Sequence, residues 1–182
     1  MPRPDGARPD GARPDGARPD SGWEARRIRI RVDGEVVEDS LTDLGVSLLT
    51  VLRRNGRTAP KSACGRGECG ACTVLLGDRV VMSCTVLAAA VTADVTTAAG
   101  LAADDLRESF ADHVAFQCGF CTPGQIVRAE ALLREGSCPT RAEVTRAMAG
   151  NVCRCTGYVQ IIDAIMDTME KRRVEGSDCV PQ

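Results

Sequence analysis

Aromatic residues are scarce in this chain of 182 residues, since Phe, Tyr and Trp together make up 3% of it. Its core must therefore pack Val, Leu, Ile and Ala. Small cores of this kind often need a metal or a covalent crosslink to be stable. Long apolar runs are also missing: none approaches the roughly 18 residues of a membrane span. The composition predicts small, crosslinked domains without a membrane span.

Neither sign of charge is in excess, and histidine is nearly absent. The 23 Lys and Arg residues and the 25 Asp and Glu residues leave a net charge of −2. This balance gives no electrostatic basis for binding nucleic acid or an anionic membrane. His113 is the one histidine, and no paired carboxylate motif accompanies it. We therefore expect no substrate-transforming site on this chain.

The beginning of the chain lacks the apolar segment of a secretory signal peptide. Arg26-Arg27 is followed by Ile and Arg residues in alternation, which is typical of a strand rather than of a twin-arginine leader. We expect a cytoplasmic protein. In that compartment thiols stay reduced, and clustered cysteines more often bind metal or do redox chemistry than form disulfides.

Composition divides the chain into four parts. Residues 3–20 repeat Arg-Pro-Asp-Gly-Ala almost without change, and we expect residues 1–25 to be a disordered low-complexity tail. Residues 26–100 mix strand and helix patterns, residues 101–175 are helical throughout, and residues 176–182 form a short polar tail. The predicted fold class is α+β.

Two hairpins, a helix and a further short strand are predicted in the first half, from alternating apolar residues and turn dipeptides. The hairpins lie at residues 28–37 and 73–82, the helix at residues 48–52 and the short strand at residues 95–97. Four helices are predicted in the second half, where prolines stand at helix starts. They lie around residues 103–113, 123–134, 140–149 and 159–172. The second half is thus expected to be a small helical bundle.

Four of the ten cysteines follow the first predicted helix. They are Cys64, Cys69, Cys72 and Cys84. Their spacing, C-x4-C-x2-C-x11-C, matches the plant-type [2Fe–2S] pattern. Three of them share a glycine-rich loop, and glycine lets the backbone approach inorganic sulfides that accept N–H hydrogen bonds. A zinc site would use the same thiolates but favours two well-separated short pairs, so the pattern favours iron–sulfur.

Four more cysteines form a C-x2-C pair and a C-x-C pair, separated by two predicted helices. They are Cys118, Cys121, Cys153 and Cys155. A C-x2-C pair also occurs in zinc sites and in thioredoxin-like proteins, although the latter need a βαβ setting that this helical half does not provide. Cys121 and Cys155 stand at predicted helix starts, where free N–H groups and the positive dipole end stabilise an anionic cluster. We expect a second four-thiolate site there.

The remaining two cysteines stand apart from these sets. Cys138 lies beside Pro139 at a predicted helix start, and Cys179 lies in the polar C-terminal segment. We expect both to be free thiols rather than metal ligands.

Three stretches of the chain resemble the small iron–sulfur subunit of the molybdenum hydroxylases, the family of xanthine dehydrogenase, aldehyde oxidoreductase and carbon monoxide dehydrogenase. They are residues 64–75 (CGRGECGACTVL), 117–124 (QCGFCTPG) and 150–158 (GNVCRCTGY). The last two are highly specific, and the resemblance runs from about Ile28 to Met169. Ala63 and Val114-Ala115 depart from the family's Gly and Gly-Ala, which affects the local backbone and leaves the ligands in place.

The resemblance implies a plant-type ferredoxin-like (β-grasp) domain followed by a small four-helix domain, each with one [2Fe–2S] cluster. It implies that the helical cluster lies nearer the molybdopterin of a large subunit, and that Gln117 and Cys155 approach that cofactor. Electrons would pass from molybdenum through the helical cluster, then through the ferredoxin-like cluster, to FAD on a medium subunit. The implied assembly is a heterotrimer, single or dimerised, in which this chain transfers electrons.

Two other functions stay open at this point. A free-standing ferredoxin-like electron carrier would share the first cysteine set but would not need the helical half. A zinc-stabilised interaction module would use the same thiolates without redox chemistry. The sequence does not name the substrate, because the substrate pocket would lie on another chain.

Overall fold

The computed structural model describes residues 25–136 and 138–174. Within these ranges the chain is a mixed α/β structure with one five-stranded sheet and five α-helices. The strands are β1 Arg26–Val32, β2 Glu35–Leu41, β3 Thr73–Leu76, β4 Arg79–Met82 and β5 Val95–Thr96. The helices are α1 Leu48–Arg54, α2 Asp104–Asp112, α3 Thr122–Arg134, α4 Arg141–Met148 and α5 Val159–Val174. Apart from Ala25, both predicted tails lie outside the described residues.

Both predicted hairpins are present. β1 and β2 pair antiparallel, and Asp33 and Gly34 between them have φ angles of 52° and 84°. Two consecutive positive φ angles are the requirement of the tight hairpin turn that an Asp-Gly dipeptide predicts. β3 and β4 form the second antiparallel hairpin, again around a glycine with positive φ, Gly77.

The sheet has the strand order β2-β1-β5-β3-β4. β5 joins the two hairpins, because it pairs parallel with β1 and antiparallel with β3. Helix α1 packs against this sheet through its apolar residues, and the first hydrophobic core forms between them. That core contains Ile30, Val32, Val37, Leu41, Leu48, Val51, Leu52, Val74, Ala88 and Val95.

Strand β3 is shared between two hydrophobic cores. Val74 is fully buried in the first core, and its neighbour Leu75 is buried in a second core formed by the helices. Successive side chains of a strand point to opposite faces, so one strand serves both cores. As a result the helical half packs directly on the sheet, with α3 against β3.

The four helices predicted in the second half are confirmed. The start of α4 is set by a capping box, in which Thr140 accepts from the Glu143 N–H and the Glu143 carboxylate accepts from the Thr140 N–H. Helix α3 has Pro123 in its first turn, where its missing N–H costs nothing. In the described part of the chain, no helix has both the length and the apolar character needed to cross a membrane.

Candidate iron–sulfur sites

The first cysteine set lies on the loop before β3 and at the end of the β3–β4 hairpin. Its thiols form two pairs: Cys64 with Cys69, and Cys72 with Cys84. The hairpin makes the second pair possible, because it returns the chain to its own start. The Ser83 N–H and hydroxyl donate to the carbonyl of Cys72 at 3.2 and 2.8 Å.

The loop that carries three of these ligands exposes backbone N–H groups to sulfur. Gly65 and Gly67 have φ angles of 66° and 77°, which turn the chain sharply around Cys64. The Arg66 N–H lies 3.4 Å from the sulfur of Cys64. Hydrogen bonds from the backbone of Arg66, then of Glu68, lower the pKa of Cys64 to about 6. The loop therefore favours a thiolate at its exposed end.

The buried end of the first site behaves in the opposite way. Burial raises the pKa of Cys72 to about 11, although Cys72 also receives a backbone hydrogen bond from Cys84. A thiol in such surroundings ionises when a metal cation compensates the charge, because a coordinating thiol is deprotonated outright. This pocket suits a metal-bound thiolate better than a free one.

The second cysteine set lies between the starts of two helices. Cys121 occupies the N-cap of α3, while Cys153 and Cys155 lie in the loop between α4 and α5. The sulfur atoms of Cys118 and Cys155 are 3.7 Å apart and exposed. The thiols of Cys121 and Cys153 form the other, more buried pair. Residues distant in sequence are thus brought together as expected.

Two details of this site differ from the sequence-based reasoning. Cys155 does not stand at the helix start, since residues 156–158 separate it from Val159, where α5 begins. The positive end of the helix dipole also does not determine the pKa of Cys121. Burial, followed by the neighbouring Cys153 thiol, raises the pKa of Cys121 to about 12. At Cys121, desolvation therefore outweighs the effect of the helix dipole.

Thr156 and Tyr158, which follow the C-x-C pair, hold Cys153 in place, and this role was not predicted from the sequence. The hydroxyl of Thr156 donates to the sulfur of Cys153 at 3.2 Å, and the Cys153 N–H donates to the Tyr158 hydroxyl at 2.9 Å. Burial acts to raise the pKa of Cys153, but hydrogen bonds led by Thr156 outweigh it and lower that pKa. The sequence signal for this contact is a hydroxyl-bearing residue, Thr156, three positions after Cys153.

The paired arrangement fits a two-iron cluster better than a single metal ion. In a [2Fe–2S] cluster with four cysteines each iron takes two of them, and each set here consists of two thiol pairs. A zinc ion would draw four sulfurs around one point.

Gln117 lies beside the exposed pair of the second set. Its Nε2 donates to the carbonyl of Cys155 at 3.1 Å. Three apolar residues within three positions of Gln117 in the chain are exposed to solvent. They are Val114, Phe116 and Phe120. The exposed pair and Gln117 therefore lie on a surface with apolar character, as at a site of protein association.

The two sites adjoin each other. The Val152 N–H, next to Cys153, donates to the carbonyl of Cys69 at 2.9 Å. The loop that carries Cys153, a member of the more buried pair, therefore contacts the loop that carries Cys69, and the pair of Cys118 and Cys155 is exposed to solvent.

The expectation for Cys138 is wrong. It is disulfide-bonded rather than a free thiol. Spacing does not show which distant residue a cysteine meets in the fold, and a disulfide is unusual in a reducing compartment. Cys179 lies outside the described residues.

Two family models match the chain in succession. Residues 30–103 match the model described as "2Fe-2S iron-sulfur cluster binding domain". Residues 96–166 match the model described as "[2Fe-2S] binding domain". The two matches include all eight cysteines of the two sets, so both sets fall within iron–sulfur-binding regions.

Relatives and a solved structure agree with these matches. The small FeS subunit of nicotinate dehydrogenase from Eubacterium barkeri is 41% identical over 150 residues, covering 79% of this chain and 95% of that subunit. The iron-sulfur-binding subunit of xanthine dehydrogenase from Escherichia coli O157:H7 is 41% identical over 131 residues, covering 68% and 82%. A chain of quinoline 2-oxidoreductase from Pseudomonas putida 86 superposes with a TM-score of 0.77 at 36% identity, covering 85% and 99%. The chain belongs to the family of small [2Fe–2S] subunits of the molybdenum hydroxylases.

Proposed function

We propose that this chain is the electron-transfer subunit between the molybdopterin centre of a large subunit and the FAD of a medium subunit. Residues 26–100 would form the ferredoxin-like, β-grasp domain, and residues 101–175 the four-helix domain. The family membership and the names of the relatives, which are small subunits of dehydrogenases, support this role. The substrate would be bound by the large subunit.

The ligands in this proposal are the two cysteine sets. The ferredoxin-like cluster would be held by Cys64, Cys69, Cys72 and Cys84, and the helical cluster by Cys118, Cys121, Cys153 and Cys155. Each cluster, when bound, accepts and releases one electron at a time. The protein contributes hydrogen bonds to the sulfurs and controls solvent exposure, and these set the reduction potential.

The observation that carries the proposal is the orientation of the second site. Its exposed pair, Cys118 and Cys155, lies with Gln117 on the apolar outer surface. The loop of its more buried pair contacts the first site through the hydrogen bond from Val152 to Cys69. This orientation supports an order in which electrons enter at the outer surface and leave at the glycine-rich loop.

The outer surface is also where we place the cofactor of the large subunit. Gln117 and Cys155 are our candidates for contact with the pterin, because they are exposed side by side. In this arrangement Cys155 is both a cluster ligand and a cofactor contact. The apolar residues around them would be covered by the large subunit on assembly.

Substrate-driven reduction of the purified complex tests the order. In Cys118→Ser, substrate should reduce neither the ferredoxin-like cluster nor the flavin. In Cys64→Ser, substrate should still reduce the helical cluster while the flavin stays oxidised. Flavin reduction at the parent rate in Cys118→Ser would refute the order. A chain that purifies as an iron–sulfur protein without molybdopterin and flavin subunits would favour the free-standing carrier.

A further inference from the structure

Asn151 connects the two cysteine sites through its side-chain amide. Its Nδ2 donates to the carbonyl oxygen of Gly70 at 3.1 Å and to the hydroxyl of Thr73 at 3.1 Å. The Thr73 hydroxyl itself donates to the same Gly70 carbonyl at 2.6 Å. Asn151 and Thr73 are 3% and 2% exposed. Asn151 stands two residues before Cys153, and Gly70 directly follows Cys69, so the contact joins ligand-bearing segments of different sites.

The backbone of Asn151 is held as firmly as its side chain. Its carbonyl accepts from the Nε2 of Gln125 at 2.7 Å, and Gln125 is fully buried on α3. Its N–H donates to the carbonyl of Met148 at the end of α4 at 3.0 Å. The amide is therefore fixed relative to both helices, and buried hydrogen bonds of this kind are costly to break.

The two segments touch without any intervening layer. A Cβ atom on Gly70 would lie 2.5 Å from the carbonyl oxygen of Gly150 and 2.6 Å from Nδ2 of Asn151. Only a glycine permits this approach, and its φ of 68° also favours glycine. A side chain added at Gly70 would therefore displace one ligand segment relative to the other.

A nearly continuous bonded path runs through this contact. The main chain of Cys69 accepts the Val152 hydrogen bond of 2.9 Å, and Val152 is covalently joined to Cys153. Covalent bonds and one hydrogen bond thus link the ligand Cys69 of one site to the ligand Cys153 of the other. Electron transfer between redox centres falls steeply with distance and with breaks in such a path.

We propose that Asn151 is a positioning residue that fixes the separation of the two clusters. This inference rests on the proposed function. In the step concerned, one electron leaves the helical cluster and is taken up by the ferredoxin-like cluster. No bond forms or breaks, and no proton moves.

The magnetic interaction between the two reduced clusters measures their separation without any turnover. The complex carrying Asn151→Ala, reduced with dithionite, should keep about four irons per chain, because all eight thiolates remain. Its low-temperature EPR spectrum should show a smaller interaction splitting than the parent, and electrons should equilibrate more slowly between the clusters. An iron-replete Asn151→Ala complex with the parent splitting would overturn the proposal.

Ser109→Ala is the matched control. Ser109 is also fully buried and hydrogen-bonded, to Asp167 at 2.7 Å and to the Ala164 carbonyl at 2.9 Å, but it contacts neither site. Its variant should keep the parent splitting even if it is less stable. A splitting that shrinks equally in Ser109→Ala would show a general loss of packing and overturn the role of Asn151.

If Asn151→Ala loses iron, the EPR splitting of a second variant, Thr73→Val, tests the proposal instead. Thr73→Val keeps the side-chain shape but removes the hydroxyl that bonds Asn151 and Gly70. A smaller splitting in iron-replete Thr73→Val supports the proposal, and the parent splitting overturns it. A parent complex without two cluster signals would instead overturn the proposed function, and the inference with it.

Discussion

A Cβ atom placed on Gly124 would lie 2.3 Å from the carbonyl oxygen of Gly70. Gly124 is in the first turn of α3, two residues after Thr122, where that helix begins, and Gly70 lies on the first-site loop. The helix that starts at one site therefore rests on the backbone of the other. The family resemblance marked this glycine as part of a motif, and the contact gives its physical reason.

Gly124→Ala should destabilise the protein although alanine is the better helix former. The added methyl group must displace backbone, and overpacking of this kind costs about 2 kcal/mol, or a fall of ~4–8 °C in the thermal unfolding midpoint. Gly150→Ala is the control, because its Cβ would meet only Met82 Cε at 3.8 Å. Calorimetry of the two variants checks this, and equal midpoints would contradict the close contact.

Thr156→Val should lower the reduction potential of the helical cluster. The hydroxyl donates to the sulfur of Cys153, and a hydrogen bond to a cluster sulfur stabilises the reduced, more negative state. If the bond is worth about 1 kcal/mol more in that state, the shift is about 40 mV to more negative values. An EPR-monitored redox titration measures it.

Thr145→Val is the matched control for that titration. The Thr145 hydroxyl bonds the Arg141 carbonyl on the exposed side of α4, so the variant should leave both cluster potentials unchanged. A shift in the ferredoxin-like cluster alone in Thr156→Val would contradict the assignment of Cys153 to the helical cluster.

An ion-pair network predicts a pH dependence of stability. Arg172 on α5 donates to Asp105 on α2 at 2.6 and 2.9 Å, and to Glu130 on α3 at 2.8 Å. Hydrogen bonds from Arg172 hold the pKa of Asp105 below its usual value. A lowered pKa means that this stabilisation is present above about pH 4 and is lost as the pH falls through the folded-state pKa.

Asp105→Asn should therefore unfold at a lower temperature than the parent at pH 7, and the gap should close below about pH 4. The Asp105 side chain is 43% exposed, so solvent screening limits the difference in the free energy of unfolding to about 1 kcal/mol or less. Asp104→Asn serves as control, because the Asp104 side chain is 89% exposed and should contribute little. If the parent and Asp105→Asn differ in unfolding temperature by the same amount at pH 3 as at pH 7, the charge of Asp105 is not the source of the difference.

Local patterns predicted most of the secondary structure. The Asp33-Gly34 turn, the amphipathic residues of α1 and the prolines at helix starts act over a few residues, and the structure has the elements they predict. The two cysteine sets were likewise predicted from spacing and motif, and the structure brings the thiols of each set together in pairs. These features depend on neighbours in the chain.

Relations between distant segments were not readable. The pairing of Cys118 with Cys155 and the bridge from Asn151 to Gly70 depend on how α3, α4 and β3 pack. The sharing of β3 between two cores is equally invisible, because a fully buried strand shows no alternation. The disulfide of Cys138 was missed for the same reason.

Iron and acid-labile sulfide analysis of the purified complex, combined with EPR of the reduced state, tests most directly whether the eight cysteines hold two [2Fe–2S] clusters. We expect about four irons and about four sulfides per chain, and two distinct EPR signals. Cys118→Ser should remove one signal and Cys64→Ser the other. A colourless protein that contains zinc and gives no EPR signal on reduction would contradict the assignment.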